Sequence, residues 1–319
     1  MPVSASAALL KELRNLFGDR LQEHVRMAYY TTARVGGPAD ALLIVQTMQE
    51  LEQAAITLWS HAVPFYLIGS GSNLLVSDSG VRGVVVLNRS RNVKIDLHSS
   101  TPTVWAESGA NLSGIARQAA LRGLGGLEWA STIPGTLGGA VYGNAGAFGA
   151  DMAGNLVLAE ILHYPEGRLD WTAANMAYGY RTSHLKRDPG KAVILAARLQ
   201  LSQSTPEAVQ AQMSENAEKR KKSQPPGASL GSMFKNPPGE YAGRLIESAG
   251  LKGSRVGGAM VSSVHANFII NSEDASAADI WNLMQHVREV VHQKCGILLE
   301  PEIETLGEFP GKEKTASAV

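Results

Sequence analysis

Leu67-Ile-Gly-Ser-Gly-Ser-Asn-Leu74 is the stretch on which the fold turns. An apolar strand expected over 64–68 runs straight into Gly69, Ser70, Gly71, Ser72 and Asn73, and another strand starts at Leu74. Consecutive small residues leave backbone N–H groups uncovered, and a nest of such donors suits a phosphate. The spacing is neither G-x-G-x-x-G nor a P-loop, which also needs a lysine. A plain turn uses the same residue types. Working outward, a strand is expected over 41–45, then a helix capped by Thr47 with Glu50 three residues on as a capping box. Met48, Leu51, Ala55, Leu58 and Trp59 form its buried stripe. With strands over 74–76 and 83–87, this region is β-α-β in character. An earlier helix over 7–17, apolar at Leu9, Leu10, Leu13, Leu16 and Phe17, stops at Gly18.

A second small-residue tract reads Ile133-Pro-Gly-Thr-Leu-Gly-Gly139 and Asn144-Ala-Gly-Ala-Phe-Gly149. After Ile133 and Pro134, the glycines Gly135, Gly138, Gly139 and Gly146 allow close backbone approach, while Thr136 and Asn144 add side-chain hydrogen bonds. Two backbone-donor surfaces on one domain suit a ligand with a pyrophosphate and an extended body, such as a dinucleotide. Tight packing between strands is the alternative. Before this tract, a strand over 104–107 leads to a helix marked by Leu112, Ile115, Ala116 and Ala119 and ended by Gly123. After it, 156–164 and 168–171 flank Pro165-Glu-Gly167 as a hairpin. A strand over 192–201 alternates apolar and polar residues.

The 319 residues suffice for about two or three domains. With 29 basic and 29 acidic residues, the net charge is zero, which argues against a dominant nucleic-acid or membrane role. Residues 1–20 lack the pattern of a signal peptide, and no apolar run is long enough to span a bilayer. The cytoplasm is the expected compartment and a monomer is favoured. The one cysteine, Cys295, excludes an intrachain disulfide, and the eight histidines show no metal-binding spacing.

Thr205-Pro-Glu207 opens a helix with a cap, a proline at its first position and an acid in its first turn. That helix ends at Lys219-Arg-Lys-Lys222, read as a solvated end, and a domain boundary is placed near residue 203. The run Ser229-Leu-Gly-Ser-Met-Phe-Lys-Asn-Pro237 makes poor helix and poor strand. It sets the Ser232 hydroxyl near Lys235 and Asn236, a proton donor beside groups that hold an anion. An ordinary surface loop is the other reading. A short helix over 242–249, strands over 255–262 and 266–271, and a helix begun by Ser276 and Asp279 and ended by Gly296 follow. A last strand is expected over 297–299 and a loose tail over 310–319. Arg181 suits a bidentate carboxylate clamp, or else a surface pair. Glu302, just past a buried strand, lines a site or an exposed turn. His265 faces a ligand or serves as a satisfied edge residue.

In their order, these stretches resemble the UDP-N-acetylenolpyruvoylglucosamine reductase family, flavoenzymes of bacterial peptidoglycan precursor synthesis. The resemblance runs from about Thr31 to about Phe309. It rests on Ala33-Arg-Val-Gly-Gly-Pro-Ala-Asp40, the two small-residue tracts, Gly126-Leu-Glu128, Tyr180-Arg181, Gly231-Ser-Met-Phe-Lys-Asn-Pro237, His265-Ala-Asn-Phe268 and Leu299-Glu-Pro-Glu302. It implies an α+β chain with an FAD-binding domain of the vanillyl-alcohol-oxidase type over 1–203, made of two α/β subdomains, about 1–90 and 91–203. An α+β substrate-binding domain over 204–319 follows, with the 297–309 strand packing back on the FAD domain. It implies non-covalent FAD, held by Gly69, Ser70, Gly71, Ser72, Asn73 and Leu74 and by the second tract from Ile133 to Gly146. NADPH is the implied hydride donor, and the enolpyruvyl ether of UDP-N-acetylglucosamine is reduced to UDP-N-acetylmuramate. By the same resemblance Ser232 gives the proton, Arg181 and Glu302 act on the substrate carboxylate, and Tyr180, Lys235, Asn236 and His265 contact substrate. Glu302 is expected to be protonated or turned to donate a hydrogen bond. The chain matches the family's shorter subtype. Two readings compete: an oxidase of the same FAD fold, and a flavin- or nucleotide-sugar-binding module without turnover.

Overall fold

Three sheets of four or five strands follow one another along the chain in the computed structural model, which describes residues 7–97 and 99–311. The first has the order Leu21–Arg26, Pro38–Val45, Val81–Asn88, Phe65–Ile68. Its last three strands are parallel, joined through the crossover helix Met48–Ser60. Thr47 caps that helix by accepting from the backbone N–H of Glu50. The Glu50 carboxylate, however, accepts from the Gln46 N–H at 2.7 Å, so the return bond of the expected capping box lands one residue upstream.

The second sheet is antiparallel throughout, in the order Gly167–Trp171, Leu156–His163, Ala192–Gln200, Thr103–Glu107, Val93–Asp96. The expected alternation along 192–201 holds from Ala197 to Leu201, where Arg198 and Gln200 are exposed, but Val193 to Ala197 are all buried. The strand is central, and both of its faces are covered. Leu162, Val193 and Leu195 pack with the helices Ala7–Phe17 and Met48–Ser60 in one core. The other face meets the helices Leu112–Ala120 and Leu137–Gly143 in a second.

The third sheet, in the order Ala228–Ser232, Phe268–Asn271, Ala259–Val261, Arg255–Val256, is backed by the helix Ala277–Cys295. Ser276 and Asp279 close a full capping box on that helix, and Gly296 ends it in the left-handed conformation. Two strand readings change here. The single strand expected over 255–262 is a hairpin, because Gly257 adopts φ +51° and turns the chain back. The strand expected over 297–299 lies at Glu304–Leu306 instead, in parallel register with Leu74–Val76. Arg288 Nε takes the Leu299 carbonyl, Pro301 forms a single bridge with Phe234, and the ladder with Leu74–Val76 begins beyond them. Ala33, Val35 and Leu75 complete the core of this last region.

Of the tail read over 310–319, residues 312–319 lie outside the described residues, as do residues 1–6 of the stretch read over 1–20. Among the described residues no helix is long and apolar enough to cross a membrane, and no group of three or more His, Cys, Asp or Glu is placed to hold a metal ion.

Candidate active site

The two small-residue tracts meet. The loop from Gly69 to Asn73 leaves the strand Phe65–Ile68 and touches the start of the helix Leu137–Gly143, which Thr136 caps. A Cβ on Gly69 would lie 2.4 Å from Thr136 Oγ1, and Ser72 Oγ donates to the Pro134 carbonyl at 3.2 Å. Gly71 has φ +61°, and a Cβ there would lie 2.0 Å from the Tyr30 carbonyl oxygen. Only glycine fits that position. The tracts line one cavity of about 550 Å³, to which Gly69, Ser70, Gly71, Ser72, Asn73, Leu74, Ile133, Pro134, Gly135, Thr136, Gly138, Gly139 and Gly146 all contribute. A cleft walled by backbone, with glycine where a Cβ would collide, fits the pyrophosphate and extended body of FAD. Gly71→Ala is expected to cut flavin affinity roughly ten- to hundredfold, from strain of about 1–3 kcal/mol at about 1.4 kcal/mol per tenfold. Flavin absorbance per mole of purified protein, titrated with added FAD, checks this.

Asn144 is arranged differently. It sits in the left-handed conformation at the end of the helix Leu137–Gly143, and its buried amide bonds Asp151, the Gly179 carbonyl and the Ala153 N–H. It braces the tract from behind and does not line the cavity.

Ser232 ends the strand Ala228–Ser232, where the pairing with Phe268–Asn271 shifts register. Gly231 just before it has φ +78°. Beyond Ser232 the chain pairs with 300–302: Glu302 N donates to Met233 O at 2.9 Å, and Lys235 N donates to Glu300 O at 2.9 Å. This backbone pairing sets Met233, the residue after Ser232, opposite Glu302, and both Ser232 and Glu302 line the cavity. Among the described residues the Ser232 hydroxyl has no hydrogen-bond partner.

Arg181 joins them from the turn between Gly179 and Thr182, held at φ +56°, a backbone region a non-glycine residue rarely occupies. Its Nε donates to Glu302 Oε1 at 2.9 Å, Nη2 to Gly146 O at 2.7 Å and Nη1 to Asn144 O at 3.4 Å. The second tract thus orients the guanidinium. Burial pushes the Glu302 carboxyl above the usual range; Arg181, and more weakly Lys186 and Lys235, pull the other way without cancelling it.

The other expected contacts stand apart from the cavity wall. Lys235 Nζ pairs with Glu300 at 2.5 Å. Asn236 Oδ1 accepts from Ala242 N, at the start of the helix Ala242–Ser248. Tyr180 is exposed, with the Arg181 guanidinium 5.4 Å from its ring centroid. His265 packs edge-on against Phe268 and accepts from Asn267 N, and burial lowers its pKa.

The reading of 219–222 as a solvated helix end holds for the exposed Lys219, Lys221 and Lys222 but not for Arg220. Arg220 lines the cavity, burial lowers its pKa, and it has no ion pair among the described residues. Helical spacing carried the signal: Val209 and Asn216 are the buried positions of Pro206–Ser223, and Arg220 follows Asn216 by four on the same face. Lys186, paired with Glu304 at 2.6 Å, also lines the cavity, and nothing in its sequence context marked it.

Comparison with known proteins agrees with this geometry. Residues 39–170 match the model of an FAD binding domain, and residues 222–306 match that of the UDP-N-acetylenolpyruvoylglucosamine reductase C-terminal domain. The chain is 41% identical over 289 residues to the UDP-N-acetylenolpyruvoylglucosamine reductase of Chloroflexus aggregans, covering 90% of this chain and 97% of that one. It is 40% identical over 302 residues to the Bacillus subtilis reductase, covering 94% and 98%. The crystal structure of UDP-N-acetylenolpyruvylglucosamine reductase from Thermus caldophilus superposes with a TM-score of 0.77 at 38% identity, covering 90% of this chain and 99% of that one.

Proposed function

Since this chain belongs to the UDP-N-acetylenolpyruvoylglucosamine reductase family, whose FAD-binding domain it carries, we propose that its cavity reduces the enolpyruvyl ether of UDP-N-acetylglucosamine to UDP-N-acetylmuramate. FAD sits against the part before residue 203 and the nucleotide sugar against the part after it. FAD held by the two small-residue tracts would supply the hydride chemistry between NADPH and the methylene carbon of the enol ether.

The remaining work falls to the chain. An enol ether resists hydride addition unless its carboxylate draws off electron density, and Arg181 promotes this as a permanent cation. A guanidinium has five N–H donors. Glu302, Asn144 and Gly146 engage three nitrogens of Arg181, and the second N–H on each Nη remains for the substrate carboxylate. Glu302 acts as a neutral carboxyl: one oxygen accepts from Arg181 Nε while the other donates to the substrate, without like-charge repulsion. Ser232 gives its proton to the carbon next to the one that receives hydride. Lys235 is held by Glu300, so solvent reprotonates the serine. Arg220 suits an anionic phosphate of the nucleotide. The observation that supports this reading is one cavity lined by Ser232, Arg181 and Glu302, with Arg181 Nε donating to the Glu302 carboxyl. The test is stoichiometry: without oxygen, NADPH oxidised and UDP-N-acetylmuramate formed should be equimolar.

The pH dependence has a defined sign. Glu302 has a folded pKa above its unfolded value, so its neutral form is fully present below the ordinary glutamate pKa and is lost as pH rises through the raised value. Turnover of the enol ether is expected to decline as pH rises through that raised pKa, and Glu302→Gln to flatten this limb. The same sign governs its contribution to stability. A profile that instead declines as pH drops through an ordinary carboxyl pKa would show a working Glu302 anion.

A further inference from the structure

We propose that Thr32 is a positioning residue that ties the cofactor loop to the proton-donating serine. The inference rests on the reductase reading and deepens it. Thr32 lies in the turn before the strand Pro38–Val45 and bonds in two directions. Its backbone N–H donates to Gly71 O at 3.1 Å, inside the glycine loop. Its hydroxyl donates to Ser229 O at 2.7 Å, three residues before Ser232, and lies farther, 3.4 Å, from Gly71 O.

That second bond acts where the sheet loosens its hold. The strand Ala228–Ser232 pairs with Phe268–Asn271 at Ala228 and Ser229, then shifts register before Ser232. Downstream, the buried Asn267 side chain clamps Phe234 from both sides, accepting from its N–H at 3.0 Å and donating to its carbonyl at 2.8 Å. Upstream, Thr32 takes the Ser229 carbonyl from across the boundary between the two parts of the chain. The same glycine loop reaches the other end of the reaction centre. Asn73 Nδ2 donates to Glu302 O at 3.1 Å, and Asn73 O accepts from Glu304 N at 2.8 Å. The loop that cradles the cofactor is therefore bonded to the backbone of the acid strand through Thr32 and to that of Glu302 through Asn73. Alignment of the proton donor with the site of hydride delivery follows from this frame.

Thr32→Val removes the hydroxyl's short bond to Ser229 O and its long contact with Gly71 O, and leaves the shorter tie to the glycine loop, the backbone N–H to Gly71 O, in place. It keeps the shape and the backbone N–H to Gly71 and removes only the hydroxyl. One neutral hydrogen bond corresponds to roughly a three- to tenfold effect. For Thr32→Val, FAD affinity and anaerobic flavin bleaching by NADPH are expected to stay within about twofold of the parent. Reoxidation of the reduced flavin by UDP-N-acetylglucosamine enolpyruvate is expected to slow about three- to tenfold, with a larger solvent deuterium isotope effect, because proton transfer is the impaired step. Thr32→Ser should restore the parent rate. A Thr32→Val enzyme that reoxidises like the parent overturns the proposal. So does one that loses FAD affinity and both half-reactions in parallel, since Thr32 would then act only on the cofactor loop. A parent enzyme that the enol ether fails to reoxidise is a separate result and refutes the reductase reading itself.

Discussion

Ser232→Ala is expected to slow reoxidation of the reduced flavin by the enol ether about 10²–10⁴-fold, the span of one positioned proton donor. Flavin reduction by NADPH should stay at the parent rate, because that half-reaction needs no proton from this residue. The fold should also survive. Ser232 is half-buried at the end of its strand, and among the described residues its hydroxyl makes no hydrogen bond that the substitution would break. A melting temperature near that of the parent, together with the rate loss confined to one half-reaction, is the expected signature. Equal losses in both half-reactions would assign Ser232 to cofactor placement instead.

Arg181→Met is expected to cost about 10²–10³ in turnover, comparable to removing an oxyanion donor. Unlike the serine variant, it should also lower stability. The guanidinium and the Glu302 carboxylate are only 24% and 18% exposed, and the cation also ties down the Asn144 and Gly146 carbonyls. The loss should be about 2–3 kcal/mol, less than for a fully buried pair. It should grow as pH rises, because a Glu302 without its cation resists ionising in the fold even more strongly. Arg181→Lys should recover little of the rate. A single ammonium cannot reach Glu302, Gly146 and a substrate carboxylate in the fixed fork that arginine presents. Steady-state turnover and chemical denaturation across pH check both parts.

The cofactor cleft was legible because its chemistry is written in short-range sequence. Glycine and serine in runs mark exposed backbone donors, and Gly69 and Gly71 are glycines because a Cβ would strike Thr136 or Tyr30. Caps were legible for the same reason: Thr47, Thr205 and Ser276 each bond the N–H three residues on. What escaped depends on long-range contact. Thr32 and Ser229 are 197 positions apart, and Asn73 and Glu302 are 229 apart. Neither pair carries a local pattern. Arg220 was hidden inside a run of like charges, which reads as solvated until the helix face is counted. The hairpin at Gly257-Gly258 did carry a signal, since a glycine pair between two short apolar runs is a turn. The end of the chain misled because Ile297 to Leu299 is apolar like a strand, whereas the Arg288 side chain takes the Leu299 carbonyl and the ladder forms at Glu304–Leu306.

At this flavin the enol ether is the expected electron acceptor. The most direct measurement is anaerobic flavin absorbance on the FAD-loaded protein, bleached with an equimolar amount of NADPH and then mixed with UDP-N-acetylglucosamine enolpyruvate. Return of the oxidised spectrum without oxygen, with UDP-N-acetylmuramate formed in step, is the predicted result. A flavin that stays bleached until air is admitted would contradict it and point to an oxidase.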